Sequence, residues 1–154
     1  MAAEVHIYQA ELKDLGKAAA LFNQYRQFYE RDDDMLRAER YIKERLIRRD
    51  SVIYLADWKQ HGLSVPAGFL QLYPTLSSLS MSKLWILNDL YVDAKYRGRG
   101  IGRKLLHQAR MNAIQTGAKG LNLSTQHHNL AAQRLYESEG YVKDDEFIAY
   151  YLDL

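Results

Sequence analysis

Cysteine is absent from the 154 residues. Disulfides, thiolate metal sites and a cysteine nucleophile are excluded with it. No stretch reaches the 18 or so consecutive apolar residues of a membrane span, so no membrane partner is expected. The opening "MAAEVHIYQAELKD" lacks a basic start followed by an apolar run, so no secretory signal is visible and a soluble cytoplasmic protein is the default expectation. The net charge of +2 is too small to argue for nucleic acid. Proline occurs twice, at Pro66 and Pro74, and there is no low-complexity linker or internal repeat. What is abundant is tyrosine, with twelve, an amphipathic ring that suits pockets as well as cores.

The length suits a single domain over 1–154 with a sizeable core. Alternation over 4–10 predicts a first strand. Asp14 can cap a helix through about Glu30, and a second helix is expected from Met35 to Arg48. "SVIYLADW", "AGFLQLYP" and "KLWILNDLYV" read as strands, with "KQHGLSVP" a turn and Pro74 closing its strand. From Ile101 the apolar residues Leu105, Ala109 and Ala113 recur at helical spacing, and Gly117 is a natural stop. "GLNLST" is a short buried strand, Asn129 can cap a helix ending near Gly140, and "GYVKDDEFIAYYLDL" is expected to close the chain as two strands or a hairpin. The order β-α-α-β-β-β-α-β-α-β-β predicts an α/β fold with a mixed sheet.

The densest signal is "YVDAKYRGRGIGRKLL", a glycine-rich turn between a strand and a helix. The first turn of a helix has amides without intrahelical partners, and its dipole favours negative charge. Gly98, Gly100 and Gly102 would let a phosphate approach those amides, with Arg97, Arg99, Arg103 and Lys104 adding positive charge. These residues describe a diphosphate cradle. A Walker loop would need Gly-Lys-Ser/Thr, and here Arg103, Lys104 and Leu105 follow Gly102. A dinucleotide fingerprint would need its third glycine one place later and an acid about twenty residues on, where "GLNLST" has none.

The pattern that matches is Arg-x-x-Gly-x-Gly at Arg97, Gly100 and Gly102, after the strand end "LYV". With "NLAAQRLYESEGY", it makes the chain resemble the GCN5-related N-acetyltransferases, the GNAT superfamily, over its whole element order. That resemblance implies acetyl-CoA as the cofactor. Leu90, Tyr91 and Val92 would hold the pantetheine arm, and Arg97, Gly98, Arg99, Gly100, Ile101, Gly102 and Arg103 the pyrophosphate, with Asn129 a further contact. Tyr136, two helical turns after Asn129 and on the same helix face, would protonate the departing thiolate. A thiol pKa of about 8.5 against about 10 for a phenol makes that transfer slightly uphill but feasible. An amide of the strand would polarise the thioester carbonyl.

An alkylamine is mostly protonated at neutral pH, a penalty of about 4–5 kcal/mol that some group must relieve. Around "WILNDLYV" the chain looks like polyamine and thialysine acetyltransferases, which carry a Glu linked to proton removal where Asn88 stands here. Proton removal is left to Asp89, to a water chain or to solvent. Strand alternation puts Asn88 and Asp89 on opposite faces, Asn88 lining the reaction side as an orienting hydrogen-bonder and Asp89 serving as a structural acid. His127 or His128 is an alternative proton carrier.

The superfamily builds its acceptor site from the first two helices, their loop and the strand before the cofactor motif. Here that loop is "YRQFYERDDDML". Tyr25, Phe28 and Tyr29 can supply walls, Glu30 and Asp32 to Asp34 can attract a cation, and Tyr73 can supply a second wall. These features favour a small primary amine as acceptor over a protein N-terminus or lysine. A non-catalytic acyl-CoA sensor remains open, supported by Asn88 and opposed by Tyr136. A nucleic-acid binder using Lys95 and the arginines lacks an interleaved aromatic platform apart from Tyr91 and Tyr96. A homodimer through the terminal "FIAYYLDL" strand is left open by the sequence.

Overall fold

The computed structural model describes residues 2–154, which form two compact units, the first ending at Ser124 and the second running from Thr125 to Leu154. In the first unit the elements are β1 (Glu4–Gln9), α1 (Leu15–Phe28), α2 (Met35–Arg48), β2 (Val52–Gln60), β3 (Leu63–Ser77), β4 (Ser82–Val92), α3 (Ile101–Gln115) and β5 (Gly120–Leu123). The five strands lie in sequence order in one mixed sheet. β1 to β4 pair antiparallel, and β5 pairs parallel with β4, the connection that requires a crossover helix, here α3.

β3 carries the core. Residues 67–72 are buried without alternation, the mark of a strand covered on both faces. On one face Phe69 packs with Ile53 and Leu55 of the sheet and with Ala18, Leu21 and Ile42 from α1 and α2. On the other, Gly68 faces α3: a Cβ there would stand 2.9 Å from the Tyr91 carbonyl oxygen and 3.4 Å from Ile101 and Leu105. Ile101 and Leu105, at 1% and 0% exposure, anchor the start of α3 against the sheet. That packing fixes where the glycine-rich turn sits.

The connections differ from expectation in two places. The eight-residue turn between β2 and β3 shrinks to His61 and Gly62, whose φ angles of 51° and 74° make the mirror-image turn that matches strand twist. β3 does not stop at Pro74 but runs on to Ser77. The β2 ladder ends at Leu72, so Pro74, paired only with Trp85 of β4, lies where β3 has lost one neighbour, an edge position of the kind that tolerates proline.

The second unit contains α4 (Leu130–Ser138), capped by Asn129, whose Oδ1 accepts from the Ala132 amide at 3.2 Å. The two closing strands expected after Gly140 are absent, so the chain has fewer strands than the sequence order implied. Asp144 Oδ1 accepts from the amides of Glu146 and Phe147 at 2.9 and 3.2 Å, a side-chain turn that competes with strand pairing. Beyond it Phe147, Ile148, Tyr150, Tyr151 and Leu152 are all exposed. Among the described residues, no helix is long and apolar enough to cross a membrane.

Candidate active site

The site begins at an irregularity in β4. The ladder with β3 runs from Gln71↔Asp89 directly to Leu72↔Leu87, leaving Asn88 without a partner. This is a β-bulge, and it overturns the expectation that Asn88 and Asp89 face opposite sides. The extra residue breaks the alternation, and Asn88 Nδ2 donates to Asp89 Oδ1 at 2.9 Å. The Asn88 carbonyl accepts from the Tyr25 hydroxyl at 3.3 Å, tying the bulge to α1. On its other side β4 pairs with β5 only over Leu84–Leu87. From Asn88 through Leu90, Tyr91 and Val92 β4 has no ladder partner on that side among the described residues; the Asn88 and Val92 carbonyls are taken by the Tyr25 hydroxyl and Arg97 Nε.

Beside the bulge, α1, α2 and β3 supply aromatic walls. The Tyr25 ring meets Tyr29 edge-on at 5.1 Å and Tyr91 at 6.3 Å. The Tyr41 and Tyr73 hydroxyls share a hydrogen bond of 2.7 Å, joining α2 to β3. Burial and the charge of Asp89 hold the Tyr29 and Tyr73 phenols above their ordinary value, with the Tyr41 hydrogen bond adding to the effect at Tyr73. Asp89 is 2% exposed. Burial raises its carboxyl above the ordinary value, against the pull of hydrogen bonds from Gln71, Asn88 and Tyr25. Gln71, fully buried, donates to Asp89 Oδ2 at 2.5 Å and accepts from the Ser51 hydroxyl at 2.9 Å. A glutamine inside "AGFLQLYP", an otherwise apolar buried run, was the signal that a polar partner lay across the ladder.

The acidic loop is used differently from expectation. Asp33 accepts from the buried Asn23 side chain at 2.7 Å, and Asp34 caps α2 by accepting from the Arg37 amide at 3.1 Å. Glu30 is exposed with φ 61°, a left-handed residue just past the end of α1. Asp33 and Asp34 therefore serve the loop's own turn and the next helix, whereas Asp89 sits within electrostatic reach of Tyr29 and Tyr73.

The glycine-rich turn starts at Arg97, whose Nε donates to the Val92 carbonyl at 2.8 Å. Its guanidinium lies over the rings of Phe28 and Tyr91, at 5.2 and 5.4 Å. Arg99 covers Trp58 and Tyr96, at 4.7 and 5.5 Å. These two arginines thus brace the turn through ring faces and a carbonyl. Gly98 and Gly100 adopt φ of 76° and 80°, which a side chain would resist. A Cβ on either would meet nothing within 4 Å, so the space beside them is open. Gly100 is the N-cap of α3, no side chain caps it, and its first turn contains no acid. The amides of Ile101 and Gly102, in the first turn of the helix, thus have no intrahelical partners. In the second unit Tyr136 is half-buried on α4, with its ring 5.9 Å from that of Tyr141. His127 and His128 are exposed before Asn129.

Residues 18–141 match the model of the acetyltransferase (GNAT) family. The chain belongs to that family. It is an acetyl-CoA-dependent N-acetyltransferase. Over 150 residues, 97% of this chain and 98% of the other, it is 45% identical to the uncharacterized N-acetyltransferase YhfO of Bacillus subtilis (strain 168). The D-amino-acid N-acetyltransferase HPA3 of Saccharomyces cerevisiae is 34% identical over 77 residues, half of this chain and 48% of that one. A crystal structure of a probable acetyltransferase superposes with a TM-score of 0.89 at 40% identity, covering 97% of both chains.

The acetyltransferase's own residues fit its acyl carrier. An uncapped helix start, an acid-free first turn and open space beside two left-handed glycines together suit a diphosphate. Among the described residues no cluster of His, Asp or Glu could hold a metal ion.

Proposed function

We propose that this acetyltransferase moves an acetyl group to a primary amine of a small molecule by direct attack, with one catalytic domain spanning 1–154. Acetyl-CoA supplies the activated acyl group as a thioester. The first-turn amides of α3 and the turn from Arg97 to Arg103 hold the diphosphate. Leu90, Tyr91 and Val92, on the open side of β4, hold the pantetheine arm through main-chain hydrogen bonds. The bulge at Asn88 leaves main-chain groups available to polarise the thioester carbonyl, which develops negative charge as the amine attacks. Asn88 orients the amine, and Tyr29, Glu30 and Tyr73 line its approach. Tyr136 gives its proton to the departing thiolate, and the protons shed by the attacking amine pass to solvent, from which the phenol is reprotonated. Asn129 both caps α4 and contacts the carrier.

The observation that carries this reading is the combination on β4: a bulge and an unpaired edge lead straight into an uncapped helix start. A small acceptor is supported by the tyrosine walls around Asn88. The family match runs through both units, which supports a single functional domain.

The test is release of thiol from acetyl-CoA against a panel of amines, wild type beside Tyr136→Phe. The reading predicts turnover on small primary amines. It predicts a loss of kcat in Tyr136→Phe of roughly 100-fold or more, the ordinary yield of a general acid, with unchanged CoA affinity. Binding of acetyl-CoA without turnover on any amine would replace it with an acyl-CoA sensor.

We also propose a homodimer. Among the described residues the outer edge of β5 has no ladder partner, and the second unit exposes Val142, Phe147, Ile148, Tyr150 and Leu152. An unpaired edge and an unpaired apolar segment are complementary across two copies. Light scattering of the full chain should give twice the monomer mass. A monomer at micromolar concentration would refute it.

A further inference from the structure

Four polar side chains cross the sheet in one line and end at the bulge. The Ser51 hydroxyl, just before β2, donates to Gln71 Oε1 on β3. Gln71 Nε2 donates to Asp89 Oδ2 on β4, and Asn88 Nδ2 donates to Asp89 Oδ1. Gln71 and Asp89 are the register pair beside the bulge, and both are buried. Asn88 is the one exposed member of the four. A buried polar network is costly to assemble, and when its members are all bonded it rigidifies what it holds. What this one holds at the surface is the Asn88 amide.

The chemistry of the line fixes which way that amide turns. An ionised carboxylate accepts hydrogen bonds and donates none. Gln71, Asn88 and the Tyr25 hydroxyl all present donors to Asp89. Asn88 therefore turns its nitrogen to Asp89, and a planar amide that does so turns its oxygen the other way. The main chain is held as well, because the Asn88 carbonyl accepts from the Tyr25 hydroxyl at 3.3 Å. Amide oxygen and nitrogen are similar in shape, so an asparagine free to flip would offer an acceptor in one state and a donor in the other.

We propose that Asp89 is a positioning residue for acetyl transfer: it locks the Asn88 side chain with Oδ1 outward, as a hydrogen-bond acceptor for an N–H of the attacking amine. The amine's lone pair is then left to the thioester. The proposal rests on the reading that Asn88 orients the amine. Asn88 takes no proton in this role, and Asp89 touches no substrate.

Asp89→Asn keeps the shape and removes an acceptor. One amide oxygen at 89 cannot serve both Gln71 and Asn88, so the exposed Asn88 is released. With the panel amine turned over fastest, kcat/KM for the amine should fall at least tenfold while KM for acetyl-CoA stays unchanged. The exchanged pair, Asn88→Asp with Asp89→Asn, restores an outward acceptor, since the amide at 89 can donate to one carboxylate oxygen at 88 and leave the other free. It should recover most of the loss. Side-chain amide NMR of wild type reads the lock directly and serves if the variants do not fold. One Asn88 Nδ2 proton, assigned by its disappearance in Asn88→Ser, should lie downfield and exchange with water more slowly than those of other exposed asparagines. Unchanged amine kcat/KM in Asp89→Asn, no recovery in the exchanged pair, or an Asn88 amide whose protons both exchange freely would overturn the proposal. A protected Asn88 proton in a protein that acetylates no amine would uphold the lock and sink the acetyl-transfer reading. Turnover with a freely exchanging Asn88 amide would do the reverse.

Discussion

Gly100→Ala separates what the glycine-rich turn does for the fold from what it does for the acyl carrier. Gly100 has φ 80° and ψ 8° at the start of α3. An L-residue held there costs roughly 1–2 kcal/mol. The stiffer unfolded chain returns about 0.4–1 kcal/mol of that. No steric cost is added, because the new Cβ would meet nothing within 4 Å. The net loss is therefore on the order of 1 kcal/mol, which at this chain length lowers Tm by about 2–4 °C. The methyl group would, however, stand at the helix start assigned to the diphosphate. Affinity for CoA should fall at least tenfold, which is about 1.4 kcal/mol. Gly117→Ala is the matched control. It sits just past the other end of α3 with φ 72° and equally open surroundings. It should show a similar shift in Tm with CoA affinity unchanged. Calorimetric titration with CoA and thermal melts of both variants decide the matter. Equal CoA affinities for Gly100→Ala and wild type would refute the cradle, and so would parallel losses in the two variants.

Gly68→Ala should be the more damaging change to stability. Its Cβ would be forced to 2.9 Å from the Tyr91 carbonyl, a backbone atom that cannot swing aside, and overpacking of that kind costs roughly 1–3 kcal/mol by denaturant titration. Asn23→Ala removes the side chain that accepts from the Asp34 amide at 3.1 Å and donates to Asp33. It should lose about 1–3 kcal/mol and loosen the loop before α2, read by hydrogen exchange. Asp89 should also shape stability against pH, because burial holds its carboxyl above the ordinary value. As pH rises past about 3.9 the unfolded chain ionises first, so the native state is favoured fully below that point and loses this contribution as pH climbs to the native value. Melting curves from pH 4 to 8 should decline less steeply in Asp89→Asn than in wild type.

The fold was legible where local chemistry and packing agree. Asn129 caps the helix it was expected to cap and Gly117 follows the end of α3, whereas Asp14 stands at the start of α1 with its side chain turned back to accept from the Glu11 amide instead of capping the helix. The glycine-rich turn between β4 and α3 was legible because a dense glycine run before an apolar-periodic helix marks a turn, and Gly98 and Gly100 take left-handed angles there. The relation between Asn88 and Asp89 was not, because a bulge is set by the partner strand and alternation within β4 cannot reveal it. The same applies to the acid within reach of Tyr29 and Tyr73. "ERDDD" offered more charge, but Asn23 and the start of α2 consume Asp33 and Asp34. Gln71, two residues before Tyr73, holds the isolated carboxylate instead. The terminal strands misled for a related reason. Residues 146–152 have the composition of a strand, and a strand forms only where a neighbour supplies its hydrogen bonds.

The most direct measurement is steady-state thiol release from acetyl-CoA by wild-type protein, with cationic primary amines compared against protein alone. The account predicts amine-dependent release that saturates with the amine and falls away in Gly100→Ala. Release that no amine accelerates, from protein that nonetheless binds CoA, would contradict it.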